Sequence, residues 1–266
     1  MELGEARKFS EPFSIVTERV KPYRDTLTRQ VHESRYWLYW DKREKFFASV
    51  EQRDRILVCP VVTKYLSFRF FPPTWVFSHQ LKVFDIATYD LFAILQSSVH
   101  DVWARKYSST LGQTLRYSTS DAFDTFPLAA AKLGNPELTK AGSEYYEARE
   151  AALDSLSVGL TDFYNMLHDP KCKLPYIVKS RTLRVALDAA SLLAFGWNDI
   201  ATDHDFVRTA QGLRFDVSER LRSAVLERLL EANHQLAKTE EMTKTPTAPT
   251  SRKKTRATKG GTTLFD

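Results

Sequence analysis

The sequence predicts an α+β fold: a small antiparallel or mixed sheet with helices, followed by a helical region and a disordered basic tail. Three observations carry this. Between Ile56 and Asp85 apolar residues run together or alternate, the two patterns of strands. From Pro136 to Ala237 they recur at helical spacing and strand signals mostly vanish. After Ala237 the composition collapses to Thr, Lys, Pro, Ser, Ala and Gly, too little apolar surface to offset the entropy of ordering.

Taken in order, residues 1–19 read as a poorly specified lead-in. From Asp25 to Phe47 the pattern is helical, with Leu27, Val31, Tyr36 or Trp37, and Trp40 near helical spacing. Trp37, Tyr39 and Trp40 lie beside Arg35, Lys42 and Arg43. They read first as an aromatic anchor docking this segment on the next layer, and second as a surface on which an unstacked base stacks. Ile56–Val62 is a strand buried on both faces. Leu66, Phe68 and Phe70 alternate with Ser67 and Arg69 as a strand with one polar face. Pro72-Pro73 punctuates, and Val76 with Ser78, then Leu81, Val83 and Asp85, give two short strands around a turn at His79-Gln80. Thr88 offers an N-cap to one helix whose stripe of Leu91, Leu95, Val99 and Val102 runs to Tyr107. Leu115–Ser118 is a further strand, and Phe123–Pro127 an aromatic loop. Helices follow at Pro136–Leu156, Gly159–Leu167, Tyr176–Phe195 and Ser218–Ala237, with Gly196 placed as a C′ residue. The expected division is a lead-in over 1–19, a first domain over 20–130, a helical support region over 131–237 and a disordered basic tail over 238–266.

Composition narrows the class of protein. No apolar run approaches the ~18 residues of a membrane span, and Met1–Ser10 has no apolar signal core, so a cytoplasmic protein without a membrane partner is expected. Cys59 and Cys172 are far apart and make neither a disulfide framework nor a zinc site; Cys59 reads as core. The net charge is +5, but the stretch Lys238–Asp266 holds seven Lys/Arg against three carboxylates. The rest of the chain therefore carries only +1, and nucleic-acid binding by the body requires its basic residues to gather on one face.

Catalytic signatures are missing. There is no Gly-rich methyl-donor loop after a first strand, and the chain has just 9 glycines. The one Pro-Pro pair, Pro72-Pro73, follows Phe71 and lacks the Asn or Asp that grips a flipped adenine. No P-loop, His-Glu-x-x-His or Gly-x-Ser-x-Gly occurs. His168-Asp169 reads as a helix terminator and Asp203-His204-Asp205 as a solvated loop. Asp85 and Lys82 alone do not make a nuclease site.

Two phrases carry a family resemblance. One is Ser34-Arg35-Tyr36-Trp37-Leu38-Tyr39-Trp40-Asp41-Lys42-Arg43. The other is Leu95-Gln96-Ser97-Ser98-Val99-His100, then Trp103 to Ser109, Leu115-Arg116-Tyr117-Ser118 and Phe123-Asp124-Thr125-Phe126-Pro127. Together they resemble the target recognition domain that follows the catalytic domain in type IIG-like restriction–modification enzymes and related adenine-specific DNA methyltransferases. The resemblance continues through Gly159-Leu160-Thr161, Tyr164-Asn165, His168-Asp169-Pro170 and Phe195-Gly196-Trp197-Asn198-Asp199 to about Leu236. It implies a sequence-specific, double-stranded DNA recognition part of a bacterial phage-defence system, as a C-terminal portion or separate specificity subunit. S-adenosylmethionine would be held by a methyltransferase catalytic domain or subunit, and the chain alone would be inactive. The expected DNA-binding residues are Lys64, Arg69, Lys82, Arg105, Lys106 and Arg116. Flanking polar residues such as Thr63, Ser67, Ser78, His79, Gln80, Ser108, Ser109, Thr110, Gln113, Ser118 and Ser120 are available to base edges or phosphates. Two rivals stand beside this reading: a fragment kept as a structural or interaction protein that no longer binds DNA, and an independent nuclease. Leu264-Phe265, at the end of a basic arm, resembles terminal peptides that dock on the sliding clamp, although the usual Gln is missing.

Overall fold

The computed structural model describes residues 1–27, 35–38, 43–112 and 114–243, with side chains up to 239. These fall into two compact units that interleave along the chain. Unit 1 comprises Met1–Pro60 and Ser67–Thr88; unit 2 takes up Val61–Leu66 and continues from Tyr89.

Unit 1 begins with three short helices, α1 (Leu3–Ala6) and α2 (Ser10–Arg19) within the expected lead-in over 1–19, and α3 (Lys21–Asp25) just after it. A reciprocal capping box between Glu2 and Glu5 opens α1, and Pro22 sits in the first turn of α3, where a missing N–H goes unfelt. Tyr36 packs its ring against Phe13 at 6.2 Å and against Trp37 at 5.4 Å. Tyr39 to Lys42 of that aromatic phrase lie outside the described residues, as do residues 28–34. The single helix expected over Asp25–Phe47 does not form: α3 ends at Asp25, Thr26-Leu27 and Arg35–Leu38 lie in turns and bends, and a left-handed Arg43 (φ +47°) precedes a separate α4 (Glu44–Val50).

The sheet of unit 1 is β1 (Ile56–Pro60) flanked by β3 (Arg69–Phe71) and β4 (Leu81–Phe84), all antiparallel. Ile56 to Cys59 are buried, as their unbroken apolar run predicts. The alternating stretch is shorter than expected: Leu66 and Phe68 are buried outside any strand, and only Arg69–Phe71 pairs with β1. Pro72-Pro73 removes the donors that would extend the ladder, so β3 stops there. Val76 and Ser78, expected as a strand, lie instead between turns closed by Trp75 N–H to the Pro72 carbonyl and Leu81 N–H to the Ser78 carbonyl. Val50, Ile56 and Val58 form the core with Phe46, Phe71, Phe77, Leu81 and Val83 around them.

Unit 2 contains β2 (Val62–Thr63), α5 (Tyr89–Gln96), α6 (Ser98–Tyr107), β5 (Ser109–Leu111) and β6 (Thr114–Arg116). These are followed by α7 (Pro136–Leu156), α8 (Leu160–Leu167), α9 (Pro175–Ala194), the hairpin β7 (Asp205–Thr209) and β8 (Gly212–Asp216), and α10 (Glu219–Thr243). The single helix expected to end at Tyr107 is broken at Ser97, whose backbone is extended. The break has a partner: Ser98 N–H donates to the buried Asp188 carboxylate of α9 at 2.7 Å. The four helices expected after Pro136 all form. The Asn135 side chain caps α7 through Glu137 N–H, and Gly196 at φ +78° follows the end of α9. The hairpin β7–β8 was not expected, and α10 continues past Ala237. Residues 238–243, expected as the start of the disordered tail, therefore belong to α10, and the remainder of that tail, 244–266 with its Leu264-Phe265 end, lies outside the described residues. No described helix is long and apolar enough to cross a membrane.

Gly142 lets α7 approach α5 closely: a Cβ there would lie 2.2 Å from the Tyr89 carbonyl oxygen. Further along α7, Ala152 and Leu153 pack with Phe163, Tyr164, Leu167, Ile177 and Tyr65 into one apolar cluster.

Candidate nucleic-acid interface

Of the six basic residues singled out, Arg69 and Lys82 belong to unit 1, and Lys64, Arg105, Lys106 and Arg116 to unit 2. In unit 1, Arg69 and Lys82 stand on the strands either side of β1, opposite Val58 and Cys59. The Arg69 guanidinium lies 5.8 Å from the centre of the Phe71 ring.

In unit 2 the local chain path gathers the other four. Helix α6 ends at Tyr107 and runs directly into β5, which turns at Gly112 (φ +61°) into β6; β6 in turn pairs with β2. Lys106 at the helix end and Arg116 at the strand end are both exposed. In register, Arg116 faces Ser109 on one side and Val62 on the other. Leu115 and Tyr117 point the opposite way and are buried, the two-residue period of a strand with one wet face. Ser109, Thr110 and Leu111 are all exposed, Leu111 by 65%. Lys64, one residue beyond β2, donates to Asn165 Oδ1 at 3.0 Å. Gln113 lies outside the described residues.

Arg105 differs from its neighbours. Its Nε donates to Asp101 Oδ2 at 2.7 Å, one helical turn back, and its side chain is only 19% exposed. Burial pushes the Asp101 carboxyl up, but Arg105, by charge and hydrogen bond, outweighs it and holds the group at about 2. Arg105 therefore opens onto a crevice of about 30 Å³ rather than onto the outer surface.

That crevice is a feature which sequence reading missed. Arg105, Arg184, Arg214 and Arg222 line it against two carboxylates, Asp101 and Asp216. Arg222 is paired with Asp216. Arg214 is buried with its guanidinium 4.1 Å from the centre of the Tyr65 ring, and its Nη2 donates to the Lys64 carbonyl at 3.4 Å. Tyr65 is itself stacked on His168 and Tyr164, at 5.1 and 5.4 Å. The His168 Nδ1 accepts from Phe215 N–H at 3.0 Å. Burial, then the charges of Arg184 and Arg214, lower its pKa to about 2, so it contributes no charge. Arg105 and Asp101 stand four apart on one helix, a signal the sequence carried; the convergence of Arg184, Arg214 and Arg222 from separate elements left no such trace.

His168 ends α8, as expected, but it also holds β8 in place. Asp203-His204-Asp205 is not simply a solvated loop. His204 Nε2 meets Asp188 Oδ2 at 2.7 Å with both side chains buried, because α9 presents its carboxylate there. Among the described residues no group of three His, Cys, Asp or Glu is placed to hold a metal ion.

The geometry of this sheet falls inside a segment with known relatives. Residues 4–130 match the MmeI target recognition domain. The matched segment includes all six basic candidates and every described strand except β7 and β8. The resemblance read from the sequence is thus borne out over this stretch. A comparison of folds extends further. The structure of the type IIL restriction–modification enzyme MmeI in complex with DNA superposes on 89% of this chain with a TM-score of 0.58 at 18% identity. The chain spans 28% of the length of that protein. The shared fold thus continues beyond the matched segment into the helical part of unit 2. No curated protein matches the chain in sequence.

Proposed function

We propose that this chain reads duplex DNA as the recognition part of a restriction–modification enzyme of the MmeI kind. A catalytic domain or subunit would hold S-adenosylmethionine and methylate adenine. The observation that carries the reading is the exposed β5–β6 hairpin inside the matched segment, flanked by Lys106 and Arg116. Strands enter the major groove of B-DNA, and β5, the outer strand of the sheet β2-β6-β5, presents the small hydroxyl side chains of Ser109 and Thr110 for contact with base edges. Lysine and arginine beside it neutralise phosphates and set the register. Lys64 extends the basic edge along β2, and Arg69 and Lys82 offer phosphate contacts from unit 1. The neighbouring structure was determined with DNA, which supports the same class of ligand here.

The test is duplex binding measured over a range of salt by fluorescence anisotropy. Lys106→Ala with Arg116→Ala should weaken binding and reduce the slope of log affinity against log salt by about 0.9 for each phosphate no longer neutralised. Unchanged affinity and slope would remove the hairpin from the interface. Arg105→Ala is a poorer probe of this surface, because it also releases Asp101. The rival reading, a fragment retained as an interaction protein, draws on the net +1 of residues outside the tail. A folded chain that shows no salt-dependent duplex binding would favour it.

A further inference from the structure

We infer that the arginine crevice of unit 2 is a phosphate site, in which Arg105, Arg184 and Arg214 together grip the oxygens of one phosphate group. Four guanidinium groups line a crevice with two carboxylates, and both carboxylates are already engaged, Asp101 by Arg105 and Asp216 by Arg222. Arg184 is buried, yet it donates to a neutral hydroxyl, Ser98 Oγ at 3.2 Å, and its Nε is buried without an acceptor among the described residues. The nearby Asp188 carboxylate is occupied by Ser98 N–H and by His204. Arg214 meets a backbone carbonyl and the face of Tyr65. Burial, more than charge, holds the Arg214 guanidinium below its ordinary value, whereas Asp101 holds Arg105 above its own and Asp188 does so for Arg184 despite its burial. The forked guanidinium donors of Arg184 and Arg214, which among the described residues no carboxylate fills by a hydrogen bond, match phosphate oxygens.

Size selects the ligand. The crevice, at about 30 Å³, has room for a compact anion rather than for a base or a sugar. Arg105 lies inside residues 4–130 whereas Arg184 and Arg214 lie outside, so the site would join the matched segment to the rest of unit 2. That the phosphate belongs to a DNA backbone rests on the function proposed above; that a phosphate binds does not.

The experiment uses the full chain and two variants, Arg214→Gln and Arg105→Gln, the second at a partly exposed position where folding is less at risk. Inorganic phosphate should raise the melting temperature of the parent chain relative to chloride at equal ionic strength, and this gain should vanish in a folded variant. If the phosphate comes from DNA, the same variant should bind a mixed-sequence duplex about tenfold more weakly, with a salt slope lower by about 0.9. Loss of the phosphate response with duplex binding intact would assign the site to a free phosphate or nucleotide and still support it. A parent chain that binds no duplex, but whose phosphate response disappears in the variants, would sink the DNA reading and leave the site standing. No phosphate response in the parent, with wild-type duplex affinity and slope in Arg105→Gln, would overturn the inference.

Discussion

His100, fully buried, and His168, half-buried, are held neutral by different surroundings. His100 is fully enclosed, its Nδ1 against the Leu95 carbonyl at 2.9 Å and its Nε2 near the Tyr117 hydroxyl at 3.2 Å, and burial lowers its pKa to about 4. His168, at about 2, would have to give up the Phe215 N–H bond to take a proton on Nδ1. Both folded values lie below the ~6.5 of an unfolded histidine. The unfolded chain therefore binds more protons as pH falls below 6.5, and stability drops with it; the contribution is complete only above that pH. For His100 the loss by pH 4 amounts to about 3 kcal/mol. Urea unfolding at pH 7 and pH 4.5 should show this fall. Asn at position 168 keeps an acceptor for Phe215 but does not titrate, so His168→Asn should flatten the dependence. Equal pH dependence in the variant would show that His168 does not titrate with unfolding. Neither histidine's surroundings were legible in the sequence. His100 looks like the polar side of a helix, and only the return of Tyr117 and Phe126 across it closes the site.

Helices were the most readable elements and the joints between them the least. Pro136 and Gly196 marked ends correctly because such end signals are local. The break at Ser97 depends on Asp188, about ninety residues away, and no local pattern announces it. The hairpin β7–β8 escaped notice for a related reason. Its apolar residues, Phe206, Val207, Leu213 and Phe215, are few and are flanked by aspartates at both ends. They become a sheet only through pairing and through Arg181, whose guanidinium lies 5.1 Å from the centre of the Phe206 ring. The α7–α5 contact yields a sharp expectation. In an isolated helix Gly→Ala is favourable by about 1 kcal/mol. At Gly142 the added methyl meets a backbone carbonyl that cannot swing aside. Gly142→Ala should destabilise by about 2 kcal/mol through overpacking, read as a lower melting temperature. A melting temperature at or above the parent value would show that the helices can separate without penalty.

At the scale of the whole chain, the matched segment was legible because it rests on ordered phrases spread over the chain. The division into units was not, since it depends on which strand pairs with which. Charge is also apportioned unevenly. Residues 244–266 hold six Lys/Arg and one Asp. If they act as a basic arm, their contribution to DNA affinity is independent of sequence. Deleting them should weaken binding to every duplex by a similar factor and lower the salt slope, while preference among competing duplexes stays the same. A changed preference on deletion would mean that the arm reads bases.

The six residues Val61–Leu66 bear on how the chain is made. Tyr65 belongs to a core whose other members begin at Ala152; its hydroxyl meets Asn165, one hundred residues downstream, and the Lys64 carbonyl meets Arg214, one hundred and fifty downstream. On a ribosome, unit 1 has its full complement of residues once Thr88 has emerged, while the strip in its midst must wait for most of the remaining chain. Contacts of such long sequence separation are slow to form and leave apolar surface uncovered in the interval. Synthesis interrupted before α8 would thus leave Tyr65 stranded, and the nascent chain passes through that vulnerable stage every time it is translated.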